Sequence, residues 1–302
     1  MRKFNRYSYS FAFIIVLIAL IEVQCKSGAT NAPLNTDNSS EKVVFFDDFS
    51  GSVLDSTKWN VEITGLHVNN ELQAYVDSSA TISFVNGAAA EGAENGALVL
   101  QPHFLSGYLT KDNQKFDFVS GRINTQNKVE VTYGSVSARI KLPEGAGLWP
   151  AWWMLGTGNW PETGEIDIME YIGEKDWASS AVHGKGYSGD AGLVDRLYFQ
   201  ENNDVTHWHI YAVDWTSDSL VFSYDGIPMF RVTKPMTQFF GEWAFNNPKY
   251  LILNFAVGGV YPFKINGIKE PYYGLPASTF ELIKNGKSKM LVDWVKVTKN
   301  DN

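Results

Sequence analysis

The residues best suited to chemistry are the three carboxylates of Gly164-Glu165-Ile166-Asp167-Ile168-Met169-Glu170-Tyr171. Their β-branched and large apolar neighbours favour a strand, in which successive side chains point to opposite faces. Glu165 and Asp167 then share one face, and Ile166 and Ile168 share the other. Glu170 falls out of phase, and one added residue, a β-bulge near Met169, returns it to the acidic face. Acids gathered on one surface raise each other's pKa, so one can stay protonated near neutral pH. Retaining hydrolysis of a glycosidic bond uses that asymmetry, with a carboxylate nucleophile and a carboxylic acid about 5–5.5 Å apart. A straight strand would hold the Cα atoms of Glu165 and Glu170 roughly 15 Å apart. The chemistry therefore also needs a curved strand and side chains that lean together. Taken alone, the same acids suit a solvated edge or the surroundings of a metal ion.

A sheet must position them. From Lys42 onward, short apolar runs recur between turn signals. Strands are expected at Val43–Phe46, Trp59–Ile63, Ala97–Leu100, Ser120–Thr125, Gly134–Leu142, Ala151–Leu155, Glu165–Tyr171, Ser180–His183, His207–Trp215, Leu220–Tyr224, Tyr250–Ala256 and Met290–Val297. Thr237–Phe245 is expected to hold one short helix. Many short strands without an internal repeat predict an all-β, two-sheet antiparallel sandwich or a barrel. In Gly134–Leu142, Val136, Ala138 and Ile140 form a core face, and Ser135, Ser137, Arg139 and Lys141 form a polar face suited to the floor of a wet groove. In Trp149-Pro150-Ala151-Trp152-Trp153, Trp149 and Trp153 share a face and Trp152 opposes them. Sugar rings present flat C–H faces that stack on aromatic rings. Trp149, Trp153 and Trp160 are therefore assigned to a groove and Trp152 to the core.

The chain of 302 residues is 14% aromatic with 10 Trp, which suits a surface that stacks flat ligands. Its net charge of -8 argues against nucleic acid as a partner, because binding there calls for a basic stripe. Residues 1–25 read as a signal peptide: Arg2, Lys3 and Arg6 precede an apolar run from Phe11 to Ile21, too short to span a bilayer. The sole cysteine, Cys25, cannot form an intramolecular disulfide. It resembles the lipidated cysteine of a bacterial lipoprotein, although Gln24 and Glu22 depart from that pattern. Residues 26–41 are polar and read as a flexible linker. Residues 42–299 show no composition break and are expected to form the single folded domain. The expected location is outside the cell, either secreted or held to a membrane through Cys25.

From Phe45 to Val297, the segments resemble glycoside hydrolase family 16 in the family's order. They are Asp47-Asp48-Phe49-Ser50-Gly51, Asn69-Asn70-Glu71-Leu72-Gln73, Ser120-Gly121-Arg122-Ile123, and Tyr133-Gly134 through Pro143. Trp149 to Gly156, Trp160-Pro161, Gly164 to Glu170, His183-Gly184, Leu253 to Gly259 and Val292 to Val297 follow. The resemblance implies a jelly roll with a concave substrate groove and a retaining double displacement. It implies Glu165 as nucleophile, Asp167 as its electrostatic helper and Glu170 as general acid/base. It places Asn70, Glu71, Arg139, Trp149, Trp153, Trp160 and His183 at the substrate. No cofactor is expected for catalysis, and a structural Ca²⁺ is implied near Asp48, Gly96 and Asp293.

The bulged Glu-x-Asp-x-x-Glu pattern resembles the laminarinase-like branch, with Met169 as the added residue. Lichenases resemble a regular pattern that this chain lacks. Ser137, Ala74 and Lys185 depart from common family residues. The expected activity is endo-hydrolysis of β-1,3-glucan, with mixed-linkage β-1,3-1,4-glucan also in range, by a monomer. The alternatives are an agarase- or carrageenase-like galactan hydrolase, a non-catalytic β-glucan-binding protein, and a surface adhesin that uses the sandwich as a scaffold.

Overall fold

Period-two alternation of buried and exposed residues recurs along the chain, as in Trp208–Trp215 and Ser219–Tyr224, and such strands pack one face against a core. In the computed structural model, which describes residues 41–300, they form two large antiparallel sheets. The first runs Leu193–Tyr198, Trp177–His183, Glu165–Glu170, Leu148–Gly156, Lys249–Val257, Arg122–Asn124 and Asn60–Val61, with Glu130–Val131 also on Lys249–Val257. The second runs Ile227–Thr233, Ser219–Tyr224, Trp208–Trp215, Gly134–Lys141, Met290–Asn300, Ala97–Leu100 and Ile82–Val85, with Glu41–Asp47 also on Met290–Asn300. A smaller sheet joins Gln73–Tyr75, Lys115–Ser120 and His103–Leu109. The fold is a mostly-β, two-sheet sandwich of the jelly-roll kind. The signal-peptide, linker and Cys25 assignments lie outside the described residues, apart from Glu41, which pairs with Asn300 in the second sheet.

The core fills the space between the two sheets. Trp152, Ile166, Ile168, Met169 and Leu253 meet Val136, Ala138, Ile140, Val213 and Phe222 there, all at zero exposure. Burying one such large side chain stabilises by about 1.5–3 kcal/mol. Lys249–Val257 is buried along its whole length because it lies inside its sheet, between Leu148–Gly156 and Arg122–Asn124.

Two expectations need correction. The Gly134–Lys141 strand has the expected alternation, but it belongs to the second sheet, so its polar face does not floor the groove described below. Parity tells which residues share a face and not which sheet the strand joins. Three α-helices occur among the described residues rather than one: Lys234–Phe240, Val260–Asn266 and Ala277–Lys284. The first starts earlier than expected because Pro235 suits the first turn, and it stops at Gly241. The others have only seven and eight residues, too few for helical spacing to stand out. Among the described residues no helix is long and apolar enough to cross a membrane.

One buried lysine amine, pushed down to about 7 by burial, ties the groove sheet to the loop that enters the acidic strand. Lys249 is fully buried. Its Nζ donates to Thr163 O at 2.8 Å, Asn247 Oδ1 at 2.8 Å and Ala244 O at 3.2 Å. Gly164, next in the chain, has φ of +72°, and a Cβ there would lie 2.3 Å from Ala244 O. Glycine is required at that close approach. Lys249→Met keeps the side chain's length and removes the donor. Leaving buried acceptors unpaired should destabilise the fold by about 2–3 kcal/mol and lower Tm by roughly 5–10 °C. Calorimetry that found Tm unchanged would show that this amine does not secure the loop.

Candidate active site

The acidic strand Glu165–Glu170 lies between Leu148–Gly156 and Trp177–His183. Its register against Leu148–Gly156 runs Leu155↔Glu165, Met154↔Ile166 and Trp153↔Asp167, then shifts to Trp152↔Met169 and Ala151↔Glu170. The bulge is present, and the residue it leaves without a partner is Ile168 rather than Met169. Any single insertion between Asp167 and Glu170 restores the phase, so counting residues cannot tell which one is extra. Ile168 and Met169 both turn into the core at zero exposure. Glu165, Asp167 and Glu170 consequently line one groove of about 920 Å³.

Two indoles hold the outer glutamates. Trp149 Nε1 donates to Glu170 Oε1 at 3.0 Å, and Trp160 Nε1 donates to Glu165 Oε2 at 2.7 Å. Asp167 is 3% exposed; its Oδ2 lies 3.4 Å from His183 Nε2 and takes no hydrogen bond. Burial and the charges of Glu165 and Glu170 push the Asp167 carboxyl well above the usual carboxylate range. Burial lifts Glu170 to about 7; the Trp149 N–H opposes this, and the charges of Glu165 and Glu71 add to it. Burial also raises Glu71. His183 is pushed down by burial against the opposing charge of Glu165, which favours neutral imidazole. The Asp167, Glu170 and Glu71 carboxyls thus all hold their protons to higher pH than an exposed one would. Glu165, Asp167 and His183 each also present one donor atom within 4.8 Å of the others, close enough to hold a metal ion.

The structure gathers most of the residues named from the sequence. Glu71, Trp149, Trp153, Trp160 and His183 line the groove with the three acids, and Trp152 is fully buried in the core. Two residues do not join them. Asn70 is exposed and outside the lining, while its neighbour Asn69 is part of it. Both have positive φ, so the turn, rather than strand parity, decides which amide faces inward. Arg139 lies on the second sheet, paired with Asp293 and 5.0 Å from the Trp208 ring centroid.

That ion pair bears on the implied calcium. Asp293 takes the Arg139 guanidinium and the Glu94 N–H, the latter at 2.9 Å. Asp48 accepts from Ser50 Oγ at 2.7 Å and Asn95 Nδ2 at 3.0 Å. Both carboxylates are engaged by protein donors and one already faces a cation, so neither the Asp48 nor the Asp293 side chain as arranged offers calcium a free oxygen.

The sequence reading did not single out Arg122, Asn254 or Tyr261 as site residues. Arg122 Nε sits 2.7 Å from Glu62 Oε2, and its guanidinium lies 5.0 Å from the Trp153 ring centroid. Asn254 accepts from Trp153 Nε1 at 2.7 Å and donates to the Tyr75 hydroxyl at 2.9 Å. An amide inside the apolar run Leu251–Val257 was the available signal. Tyr261, on the helix Val260–Asn266, had none.

The raised Glu170 predicts a linkage. Between the unfolded pKa near 4.5 and the folded value of about 7, the native state binds the extra proton. Stability from this group is therefore present below that window and lost as pH rises through it. At pH 8 the buried carboxylate opposes folding by about 2–3 kcal/mol. Glu170→Gln should raise Tm by several degrees at pH 8 and much less at pH 5. Equal Tm changes at the two pH values would contradict a raised native pKa.

Residues 67–267 match glycosyl hydrolases family 16. Glucan endo-1,3-beta-glucosidase A1 of Niallia circulans is 33% identical over 244 residues, covering 72% of this chain and 34% of that protein. The chain thus spans about a third of that relative's length. A beta-glucanase of Rhodothermus marinus is 31% identical over 246 residues, covering 76% of this chain and 81% of that protein. The X-ray structure of an endo-beta-1,3-glucanase from Pyrococcus furiosus aligns with a TM-score of 0.73 at 31% identity, covering 87% of this chain and 95% of that chain. With the sandwich, the bulged acidic strand and a match across two-thirds of its length, this chain belongs to glycosyl hydrolase family 16.

Proposed function

We propose that this protein is a retaining endo-hydrolase of β-1,3-glucan. The observation that carries this reading is the pair of glutamates that the bulge brings to one groove. Glu170 is held protonated up to about pH 7, while Glu165 sits at the other end of the acidic strand against the Trp160 indole. Glu165 attacks the anomeric carbon as Glu170 gives its proton to the departing glycosidic oxygen. The C–O bond to the leaving sugar breaks and a glycosyl ester with Glu165 forms. Glu170, now a carboxylate, takes a proton from water, whose oxygen displaces Glu165. Two inversions retain the anomeric configuration. Asp167, protonated in the buried site, can donate to the Glu165 carboxylate. Trp149, Trp153 and Trp160 offer ring faces or edges along the groove, and Arg122, Asn254 and Glu71 supply polar contacts.

The likeness to the three glucanases named above, together with the bulged acidic pattern, supports β-1,3-glucan over galactans. The leader, the polar linker and Cys25 support export and lipid tethering on sequence alone, and palmitate labelling of wild type against Cys25→Ser tests the tether.

Purified protein should release reducing ends from laminarin, with the β-anomer appearing first by proton NMR. Glu165→Gln and Glu170→Gln should each lower kcat by at least about 10²–10⁴-fold. Because Glu170 must be protonated, kcat/KM should fall as pH rises through about 7. Release from agarose or carrageenan without release from laminarin or lichenan would overturn the substrate assignment.

A further inference from the structure

We propose that Tyr224, from the sheet that does not carry the groove, positions Glu170 by clamping Ser179 and Ser180, the residues that face the bulge at Ile168. The inference rests on the proposed role of Glu170 and adds a residue that touches neither substrate nor the reacting carboxyl.

Ile168 has no partner in the register on either side of its strand: the pairing passes from Asp167↔Ala181 to Glu170↔Ser179, and from Asp167↔Trp153 to Met169↔Trp152. Its carbonyl lies in a dry core, where an unpaired acceptor costs about 1–3 kcal/mol. Ser180 Oγ donates to it at 2.8 Å. The single Tyr224 hydroxyl proton goes to Ser179 O at 2.9 Å, while the hydroxyl oxygen lies 3.2 Å from Ser180 Oγ and 3.5 Å from Ile168 O. Ser179 and Ser180 are fully buried and Tyr224 is 1% exposed. Tyr224 ends the strand Ser219–Tyr224 of the second sheet, so these bonds cross the sandwich.

Ser179 connects the clamp to Glu170. It is the register partner of Glu170, and its Oγ lies 3.4 Å from Glu170 O and 3.1 Å from the Tyr261 hydroxyl. Tyr261 packs edge-on against Trp149, the indole that donates to the Glu170 carboxylate. The Glu170 backbone and side chain are thus both held by one connected set of groups. Without the hydroxyls the strand gains by moving toward regular pairing, and a one-residue slip turns Glu170 away from its groove. The Tyr224 ring itself is fixed by Tyr211 at 4.6 Å and Phe199 at 5.9 Å, so a phenylalanine there keeps its place.

The test compares Tyr224→Phe, Ser180→Ala and their double mutant with Tyr211→Phe. Tyr211 is an ideal control because its buried hydroxyl has no partner. On laminarin, Tyr224→Phe should lower kcat roughly tenfold with KM unchanged, since even small misplacement of a reacting group is costly. The alkaline limb of its pH profile should move to lower pH as Glu170 loses burial. The double mutant should fall no further than its worse single, as expected within one network. Tyr211→Phe should match wild type in kcat and pH limb. A Tyr224→Phe protein that changes only Tm, or a Tyr211→Phe protein that reproduces its pH shift, would overturn the clamp. Wild-type inactivity on laminarin would instead defeat the substrate assignment. In that event carbon-13 NMR titration of Glu170 still decides the clamp: a lower midpoint in Tyr224→Phe supports it, and an unchanged midpoint refutes it.

Discussion

The groove depends on one irregularity in hydrogen bonding, the unpaired Ile168 of the acidic strand. In a regular strand the odd spacing of Glu165 and Glu170 would put one in the groove and the other in the core. The bulge brings both to the groove and turns the consecutive residues Ile168 and Met169 into the core. Its requirement is local and strict, because a freed carbonyl in a dry interior needs a donor. The donor is Ser180 on the neighbouring strand, and Tyr224 of the opposite sheet backs it through Ser179 O and Ser180 Oγ.

Placing three acids together opposes folding, and the surroundings manage this in two ways. Protonation removes charge from Asp167 and, up to about pH 7, from Glu170. Indole N–H groups from Trp149 and Trp160 then satisfy carboxylate oxygens without bringing in a full positive charge. A lysine or arginine at either place would have lowered the Glu170 pKa and removed the proton that the proposed chemistry uses. Tryptophan serves here as a neutral donor, and in the proposed reaction also as a ring for sugar faces. Among the described residues neither Glu165 nor Glu170 takes a charged partner: Arg122 pairs with Glu62 beside Trp153, farther along the groove, and Arg139 with Asp293 on the second sheet.

Much of the fold was legible because strand periodicity is a local property. Ala97–Leu100 matches its expected bounds, and Gly134–Lys141, Trp208–Trp215 and Ser219–Tyr224 match within a residue. The edge strands Leu193–Tyr198 and Ile227–Thr233 were not legible. At the sheet edges they hold a single buried residue between them, so their side chains carry weak alternation. The short helices Val260–Asn266 and Ala277–Lys284 escaped notice for want of length, and Tyr261 escaped with the first of them.

By itself the sequence determined which side chains can share a face: Glu165 with Asp167, Trp149 with Trp153, and Trp152 apart in the core. It also required one extra residue before Glu170, since side-chain direction in a strand follows from chain geometry alone. Only the tertiary structure decided that the unpaired residue is Ile168, that Asn69 rather than Asn70 faces the groove, and that Arg139 belongs to the other sheet. It alone brought Tyr224 and Tyr261 to the acidic strand. Those outcomes depend on burial and on partners distant in the chain, and no local period encodes where a carbonyl will find its donor.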